Sequence, residues 1–351
     1  MDQAIVDVAP TDGLVEAFDA LGWSGRFPNL AAAHVFSSDL VARARAHVAD
    51  LRLPDSIDVL ALGSLGRFET SLESDLDGLV VDYAPEATFS EAEATELLKE
   101  LGGLLDLRPP GRTGLFGGVI STRDLFEIIG LDHDTNQRHS RRVLVLEESV
   151  SLRSPERHAD LLRTMVNRYI DAIPPSRSNV PRFLVNDLAR YWRQLTVDYQ
   201  AKSEQSDQSA LRRLKLMVTR KFTYAASVLP ILTHELRGSD RESLVNGLVN
   251  AYQRPASARF VEEVRALSEQ PDGDTVVNHA YAVLQTVDAF NALLSSADWR
   301  ATLANAATRD DAEELPEFAE GRALARSLQR DLDELFFCST LQPLTRKYLV
   351  F

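Results

Sequence analysis

The chain has little cysteine and no long hydrophobic run. Cys338 is the one cysteine among 351 residues, so no disulfide forms within the chain, and we expect a protein of the reducing cytoplasm. The longest apolar tract, from about Phe222 to Leu232, is too short and too polar to predict a membrane span. The N-terminus shows no basic segment followed by an apolar core. We therefore predict neither a signal peptide nor a membrane partner.

Basic residues are also fewer than acidic ones. The chain has 38 Lys and Arg against 52 Asp and Glu, which gives a formal net charge of −14. Such a surface repels a phosphate backbone, which argues against a protein that coats nucleic acid non-specifically. An acidic body is still compatible with a local basic groove. The length is sufficient for two domains, each with its own core.

Residues 63–77 carry most of the information on function, and they read GSLGRFETSLESDLD. The apolar runs Ile57–Leu62 and Leu79–Val81 flank them and predict two strands. Glycines after a strand let backbone N–H groups approach a phosphate, and a following helix N-terminus adds a favourable dipole. Asp75 and Asp77 lie at i and i+2, so both point to one face of a strand and can bind Mg²⁺. This pattern predicts an enzyme that acts on nucleoside triphosphates.

The pattern resembles that of the nucleotidyltransferase superfamily, whose polymerase-β-like enzymes share Gly-Ser, a spacer and Asp-x-Asp. It is similar to the branch of bacterial protein uridylyl- and adenylyltransferases and related nucleotidyltransferases without an assigned substrate. Their pattern is Gly-[Gly/Ser]-x-Gly-Arg-x-Glu, five residues, then Asp-x-Asp. The residues that match it without a gap are Gly63, Ser64, Gly66, Arg67, Glu69, Asp75 and Asp77. The resemblance covers about residues 56 to 83 and extends less closely to about residue 150.

The resemblance implies a site and a reaction. Gly63, Ser64 and Gly66 are expected to bind the phosphates of a nucleoside triphosphate. Asp75 and Asp77 are expected to hold two Mg²⁺ ions while an acceptor hydroxyl attacks the α-phosphorus.

Arg67 is the third expected catalytic residue, because it could orient the phosphate or the aspartate-bearing strand. The reaction implied is transfer of a nucleoside monophosphate to a protein or RNA acceptor, with release of pyrophosphate. Regulatory modification and a toxin–antitoxin system with a small partner protein both fit this reaction.

Two other functions stay open at this point. One is a small-molecule nucleotidyltransferase or an oligonucleotide synthase, and the other is a nucleotide-sensing regulatory module without turnover. Each motif residue alone also has a structural explanation, since glycines serve tight turns and an exposed Arg67–Glu69 pair contributes little. The intact pair Asp75 and Asp77 favours an enzyme.

The superfamily usually has a third carboxylate on the strand beside the Asp-x-Asp strand. Here residues 115–120 predict that strand and carry no acid, which leaves the general base unassigned. Asp124, Asp132 and Asp134 are candidates for a displaced acid. Each is equally explained as a helix cap or a loop residue.

The hydrophobic pattern predicts strands and helices that alternate up to about residue 150 and helices after it. With this pattern, the resemblance implies an α+β fold, in which a small mixed β-sheet of the nucleotidyltransferase type has flanking helices and is followed by an α-helical domain. We predict an N-terminal helical segment at 1–55, the nucleotidyltransferase core at 56–150 and an α-helical substrate-recognition domain at 151–351. Residues 143–146, Val-Leu-Val-Leu, predict a further strand of the core. The acidic residues 309–314 predict a solvated connection.

Two of the predicted helices, at about 182–202 and 209–232, carry basic side chains. Arg190 lies on the first and Lys215 on the second. Both are predicted to contact the triphosphate, or a polyanionic acceptor, across the cleft. The alternative is a pair of helices whose charges face water.

Overall fold

The computed structural model describes residues 12–109, 115–171, 180–203, 209–238, 240–306 and 309–350. The structure is mixed α+β and 71% helical, with a small mixed sheet and flanking helices, which confirms the predicted fold class at this level. Among these residues, no helix combines the length and the apolar character needed to cross a membrane.

The sheet has four strands in the order β3-β2-β1-β4. Their bounds are β1 Ile57–Leu62, β2 Asp77–Asp82, β3 Val119–Ser121 and β4 Val150–Ser151. Strand β1 runs antiparallel to both β2 and β4, whereas β2 and β3 are parallel. Every residue of β1 is buried, including Asp58, whose carboxylate accepts a hydrogen bond of 2.9 Å from the Ser151 hydroxyl. The central position of β1 explains why its sequence is an almost continuous apolar run.

Side chains of the strands alternate between two cores. Leu60, Leu62, Leu79 and Val81 belong to the larger core, which continues into the C-terminal helices. Val59, Ala61 and Val80 belong to the smaller core on the opposite face, together with residues of two helices that cover it. The period of two predicted for a strand therefore decides which core each residue enters.

In the described part of the chain, six helices precede or interrupt the sheet. They are α1 Asp12–Ala20, α2 Pro28–Asp50, α3 Gly63–Gly66, α4 Glu91–Leu105, α5 Thr122–Phe126 and α6 Asn136–Glu148. Helices α2 and α4 cover the smaller core. Helix α4 begins with a capping box, because Ser90 and Glu93 each bond the backbone N–H of the other. Its start was therefore readable from the sequence.

After α6, the described residues form helices joined by short connections, apart from β4. Its helices are α7 Pro155–Ile170, α8 Arg182–Ser203, α9 Ser209–Lys215, α10 Lys221–Leu236, α11 Arg241–Tyr252, α12 Ala256–Leu267, α13 Gly273–Ser295, α14 Ala297–Ala304, α15 Arg309–Glu314, α16 Pro316–Phe336 and α17 Gln342–Thr345. Two π-helical turns, Leu216–Arg220 and Arg346–Val350, follow α9 and α17. The Asp288 carboxylate of α13 accepts the backbone N–H groups of Asn29 and Leu30, each at 2.8 Å. It thereby caps the start of α2 from a distant part of the chain.

Two predictions of local structure are wrong. Residues 143–146 form the last turns of α6 rather than a strand, because this helix is buried on all sides there and lacks the polar face that marks a surface helix. The strand predicted at 115–120 begins only at Val119. Gly117 precedes it with φ +88°, a backbone conformation outside the β region. The connection predicted at Arg309–Glu314 forms the short helix α15, and its four acidic side chains are exposed as expected.

The predicted domain boundaries stay predictions. The border at residue 150 falls inside β4, which still pairs with β1. The larger core includes side chains from the sheet and from the C-terminal helices alike.

Candidate functional site

The turn after β1 requires glycine at its first position. Gly63 has φ +62°, and a Cβ there would lie 2.4 Å from Oδ2 of Asp77. Any other residue would be strained in its backbone and would also displace the Asp77 carboxylate. The close approach of this turn to Asp77 thus explains a motif residue that sequence alone could assign to an ordinary turn.

Gly66 serves packing at the end of α3. A Cβ at this position would lie 1.9 Å from the backbone oxygen of Glu148. Two residues later Phe68 has φ +57°, a sparsely populated conformation for a non-glycine residue, and its ring packs 5.0 Å from that of His34. Strained backbone of this kind persists where surrounding contacts determine it, and it is common beside functional sites.

A cleft opens between the motif and the C-terminal helices. The motif side is lined by Gly63, Ser64, Arg67, Glu69, Ser71, Ser74, Asp75 and Asp77. The helical side is lined by Lys215, Thr219, Arg220, Leu294 and Arg300. Most of the residues predicted to form the site are therefore brought together, including Lys215 from the distant helix. Gly66 lies behind the turn.

Asp77 is the first residue of β2, and its side chain shares the parity of Leu79 and Val81. It therefore points to the face that meets the C-terminal helices. Asp75 precedes the strand in an isolated bridge to Arg108 and also lines the cleft. The two carboxylates thus face the same space, as their i, i+2 spacing predicts.

Burial raises the pKa of Asp77 to about 6; the positive charge of Arg220 opposes this rise and the carboxylate of Asp75 adds to it. Two half-buried carboxylates in one cleft suit a hard divalent cation, which takes oxygen ligands and favours their charged forms. Within the described ranges, no group of three or more His, Cys, Asp or Glu side chains has the arrangement of a metal site. Asp75 and Asp77 could hold such a cation.

A π-helical turn shapes the opposite wall. It spans Leu216–Arg220 between α9 and α10, and turns of this kind are frequent at functional sites. It brings Lys215, Thr219 and Arg220 to the cleft together. Burial, together with the positive charge of the nearby Arg300 guanidinium, lowers the pKa of Lys215 to about 8. In the part of the chain that the structure describes, neither Lys215 nor Arg300 forms an ion pair.

A buried carboxylate behind the cleft joins two of its arginines. Arg67 donates from Nε to Oε2 of Glu69 at 2.9 Å and from Nη1 to Oε2 of Glu148. Arg220 donates from Nη1 to the other oxygen of Glu148. Burial opposes the ionisation of Glu148, but the charges of Arg220 and Arg67 hold its pKa below the ordinary value. Sequence reasoning missed Glu148 because it ends a helix far from the motif.

The candidates for a displaced acid do not line the cleft. Asp134 accepts two hydrogen bonds from the buried Arg142, at 2.8 and 2.9 Å. Asp124 pairs with Arg138 at 2.6 Å, and Asp132 is exposed. Asp124 bonds the Ser121 hydroxyl at the start of α5, and Asp134 accepts the backbone N–H of Gly130 in a loop, so both have the structural role that was the alternative explanation.

Arg190 also lies outside this site. Its guanidinium is 3.7 Å from the carboxylate of Asp134 and donates a 3.3 Å hydrogen bond to the side chain of Asn136. The structure therefore groups Arg190 with the start of α6, and the predicted contact with the triphosphate receives no support from its position.

No model of a known protein family matches this chain, and no curated protein has a significantly similar sequence. The functional argument therefore rests on the motif residues and on the cleft that they share with the helices.

Proposed function

We propose that this protein is a Mg²⁺-dependent nucleotidyltransferase with a polymerase-β-like core. It transfers a nucleoside monophosphate from a nucleoside triphosphate to a hydroxyl of a protein or RNA acceptor and releases pyrophosphate. The observation that carries the proposal is the cleft, in which the Asp75–Asp77 pair faces the cations Lys215, Arg220 and Arg300. Opposite walls of opposite charge suit a substrate that carries phosphates and is bound with a divalent cation.

Asp75 and Asp77 would hold the Mg²⁺ ions. When bound, Mg²⁺ supplies neutralisation of the phosphate charge and Lewis acidity at the reacting phosphorus. The Gly63 turn lets backbone approach the phosphates, because it has no side chain between the backbone and the cleft. Ser64, the next residue, adds a hydroxyl that can donate to a phosphate oxygen.

The cations of the helical side act on the leaving group. In the reaction, a bond forms between the acceptor oxygen and the α-phosphorus while the bond to pyrophosphate breaks. Pyrophosphate leaves with the bonding electrons, so negative charge grows on it. Lys215 and Arg300 form no ion pair within the described residues, and their charge is available to stabilise that growth.

A nucleotide-sensing module without turnover is the second candidate. It is favoured by one observation, namely that no third acid joins Asp75 and Asp77 in a metal-binding group of the described residues. Such a module would bind nucleotide through the same cleft without transferring it.

Incubation with each α-labelled triphosphate, Mg²⁺ and cell lysate separates these functions. Label on a protein or RNA band supports the proposal, and label only on small molecules indicates a small-molecule acceptor. Nucleotide binding without any transfer supports the sensing module. Transfer that persists in Asp77→Ala would mean that the site is assigned to the wrong residues.

A further inference from the structure

The contacts of Glu148 set it apart from the other acids near the cleft. Its side chain is 0% exposed, and its two oxygens accept from two different guanidinium groups, those of Arg67 and Arg220. Arg67 belongs to the motif, whereas Arg220 ends the π-helical turn of the C-terminal helices. One buried carboxylate therefore connects the two walls of the cleft.

These contacts oppose the roles that a third carboxylate would usually have. The charges of Arg220 and Arg67 hold the pKa of Glu148 below its ordinary value, which disfavours its taking a proton from an acceptor hydroxyl. Glu148 also does not line the cleft, although Arg67 and Arg220 do. What Glu148 can do is determine where these two guanidinium groups lie.

Without Glu148 the two arginines would not remain neighbours. The positive charge of Arg220 acts to lower the pKa of Arg67, because like charges at short range in a buried setting repel. A carboxylate placed between them offsets this repulsion and holds both in a fixed geometry. Arg67, Glu148 and Arg220 together carry one net positive charge, which is offset by Glu69, the second carboxylate bonded to Arg67.

We propose that Glu148 is a positioning residue, which clamps Arg67 and Arg220 side by side so that both guanidinium groups can bind the pyrophosphate portion of the substrate. We call these three residues the Glu148 clamp. The inference rests on the proposed function for the identity of the ligand. It adds a residue that contacts no substrate and acts through two arginines.

Inorganic pyrophosphate is the probe that tests the clamp, with its affinity measured by isothermal titration calorimetry. A carboxylate that only compensates charge would oppose the binding of an anion, so its removal would tighten binding. If the carboxylate instead positions the two arginines, its removal would weaken the binding of the anion. We expect Glu148→Gln to weaken pyrophosphate binding about tenfold, the effect of losing one charge-assisted hydrogen bond, despite its additional positive charge.

Glu148→Asp keeps the charge and shortens the side chain by one carbon, so it cannot reach both guanidinium groups. We expect it also to weaken binding, whereas a charge compensator would be unaffected. This variant keeps the test decisive if Glu148→Gln leaves two unpaired guanidinium groups and does not fold. In the Arg220→Gln background, Glu148→Gln is expected to have a smaller effect on binding than it has alone, because the two residues act together.

Glu147→Gln is the matched control. Glu147 is the neighbouring buried acid on α6, it lies outside the cleft, and burial raises its pKa to about 8. It is therefore mostly neutral at pH 7, and its replacement by Gln is expected to leave pyrophosphate binding unchanged.

Tighter or equal pyrophosphate binding by both Glu148 variants would overturn the clamp, and so would a wild-type protein that does not bind pyrophosphate. A different result would contradict the proposed function without contradicting the clamp. A wild type that binds pyrophosphate, shows the expected loss in both Glu148 variants and yet transfers no nucleotide would contradict the enzyme while supporting the clamp.

Discussion

The Glu148 clamp buries guanidinium groups, and so does a cluster of Arg142 with Asp134, Asp187 and Tyr169, here called the Arg142 cluster. They differ in whether basic side chains remain available to a ligand. Arg142 is 0% exposed and donates to Asp134 at 2.8 and 2.9 Å, to Asp187 at 2.9 Å and to the Tyr169 hydroxyl at 2.8 Å. The Tyr169 hydroxyl in turn donates to Asp187 at 2.7 Å. This cluster has two carboxylates for one guanidinium, and its groups satisfy one another.

In the clamp one carboxylate, Glu148, accepts from both Arg67 and Arg220, and Arg67 also donates to Glu69. Beside it, Lys215 and Arg300 line the cleft without an ion pair among the described residues. The comparison indicates that the closed cluster serves stability and that the open one is available to a ligand. Buried charge alone does not mark a functional site. Buried charge beside a cleft that also holds basic side chains without an ion-pair partner among the described residues does.

The largest effect on nucleotide transfer is expected in the cleft beside the clamp, at Asp77. Asp77→Asn removes a carboxylate that would hold Mg²⁺, and nucleotide transfer should fall about 1000-fold or more. The thermal unfolding temperature should not fall, because the substitution removes a buried charge. Asp124→Asn, at an acid outside the cleft, is the control and should transfer at the wild-type rate. A similar loss in both variants would contradict the assignment.

At the closed cluster, the effect should appear in stability instead. Arg142→Met leaves the buried carboxylates of Asp134 and Asp187 without their partner, so the free energy of unfolding should fall by about 3–5 kcal/mol. Urea denaturation measures this change. Nucleotide transfer per folded molecule should stay within about twofold of wild type. A large loss of transfer in protein that is fully folded would contradict this and would mean that the Arg142 cluster contributes to function.

Gly63→Ala tests the close approach of the turn to Asp77. The new Cβ must displace the Asp77 carboxylate, and a shift of about 1 Å in a reacting group can reduce the rate about 100-fold. Positive φ adds about 1–2 kcal/mol of destabilisation.

The matched control for this variant is Gly103→Ala, in helix α4, where a Cβ has no heavy atom within 4 Å. That substitution should stabilise the protein by about 0.5–1 kcal/mol and leave transfer unchanged. Wild-type transfer by Gly63→Ala would contradict the geometry of the turn.

The smallest effect is expected at Lys215, measured as the affinity for inorganic triphosphate. Because its pKa is lowered to about 8, the ammonium form is lost as the pH rises through that value, and affinity should fall between pH 7 and 9. Lys215→Met should bind about tenfold more weakly at pH 7 and lose most of this pH dependence. Arg190→Met should behave as wild type at both pH values. An unchanged pH dependence in Lys215→Met would assign the titration to another group.

The motif was readable from the sequence because its parts are close together along the chain. The strand, turn, short helix and second strand follow one another between Ile57 and Asp82, and local patterns predict each. The same holds for the capped helix α4. The side chains on the other wall come from separate helices, and Lys215 was among those predicted there.

What the sequence could not provide depends on tertiary packing. Glu148, Arg220 and Arg300 lie on different helices, and no spacing along the chain relates them to Asp77. The strand predicted at 143–146 failed for a related reason. A helix buried on every side loses its 3.6-residue pattern, and its β-branched residues then favour the wrong element.

The central claim is that the cleft transfers the nucleotide rather than the terminal phosphate. Parallel reactions with α-labelled and γ-labelled triphosphate, Mg²⁺ and lysate test it most directly. The account predicts label on a macromolecular acceptor from the α-labelled substrate only, release of the γ label as pyrophosphate, and neither product with Asp77→Asn. Transfer of the γ label to the acceptor, or wild-type transfer of the α label by Asp77→Asn, would contradict it.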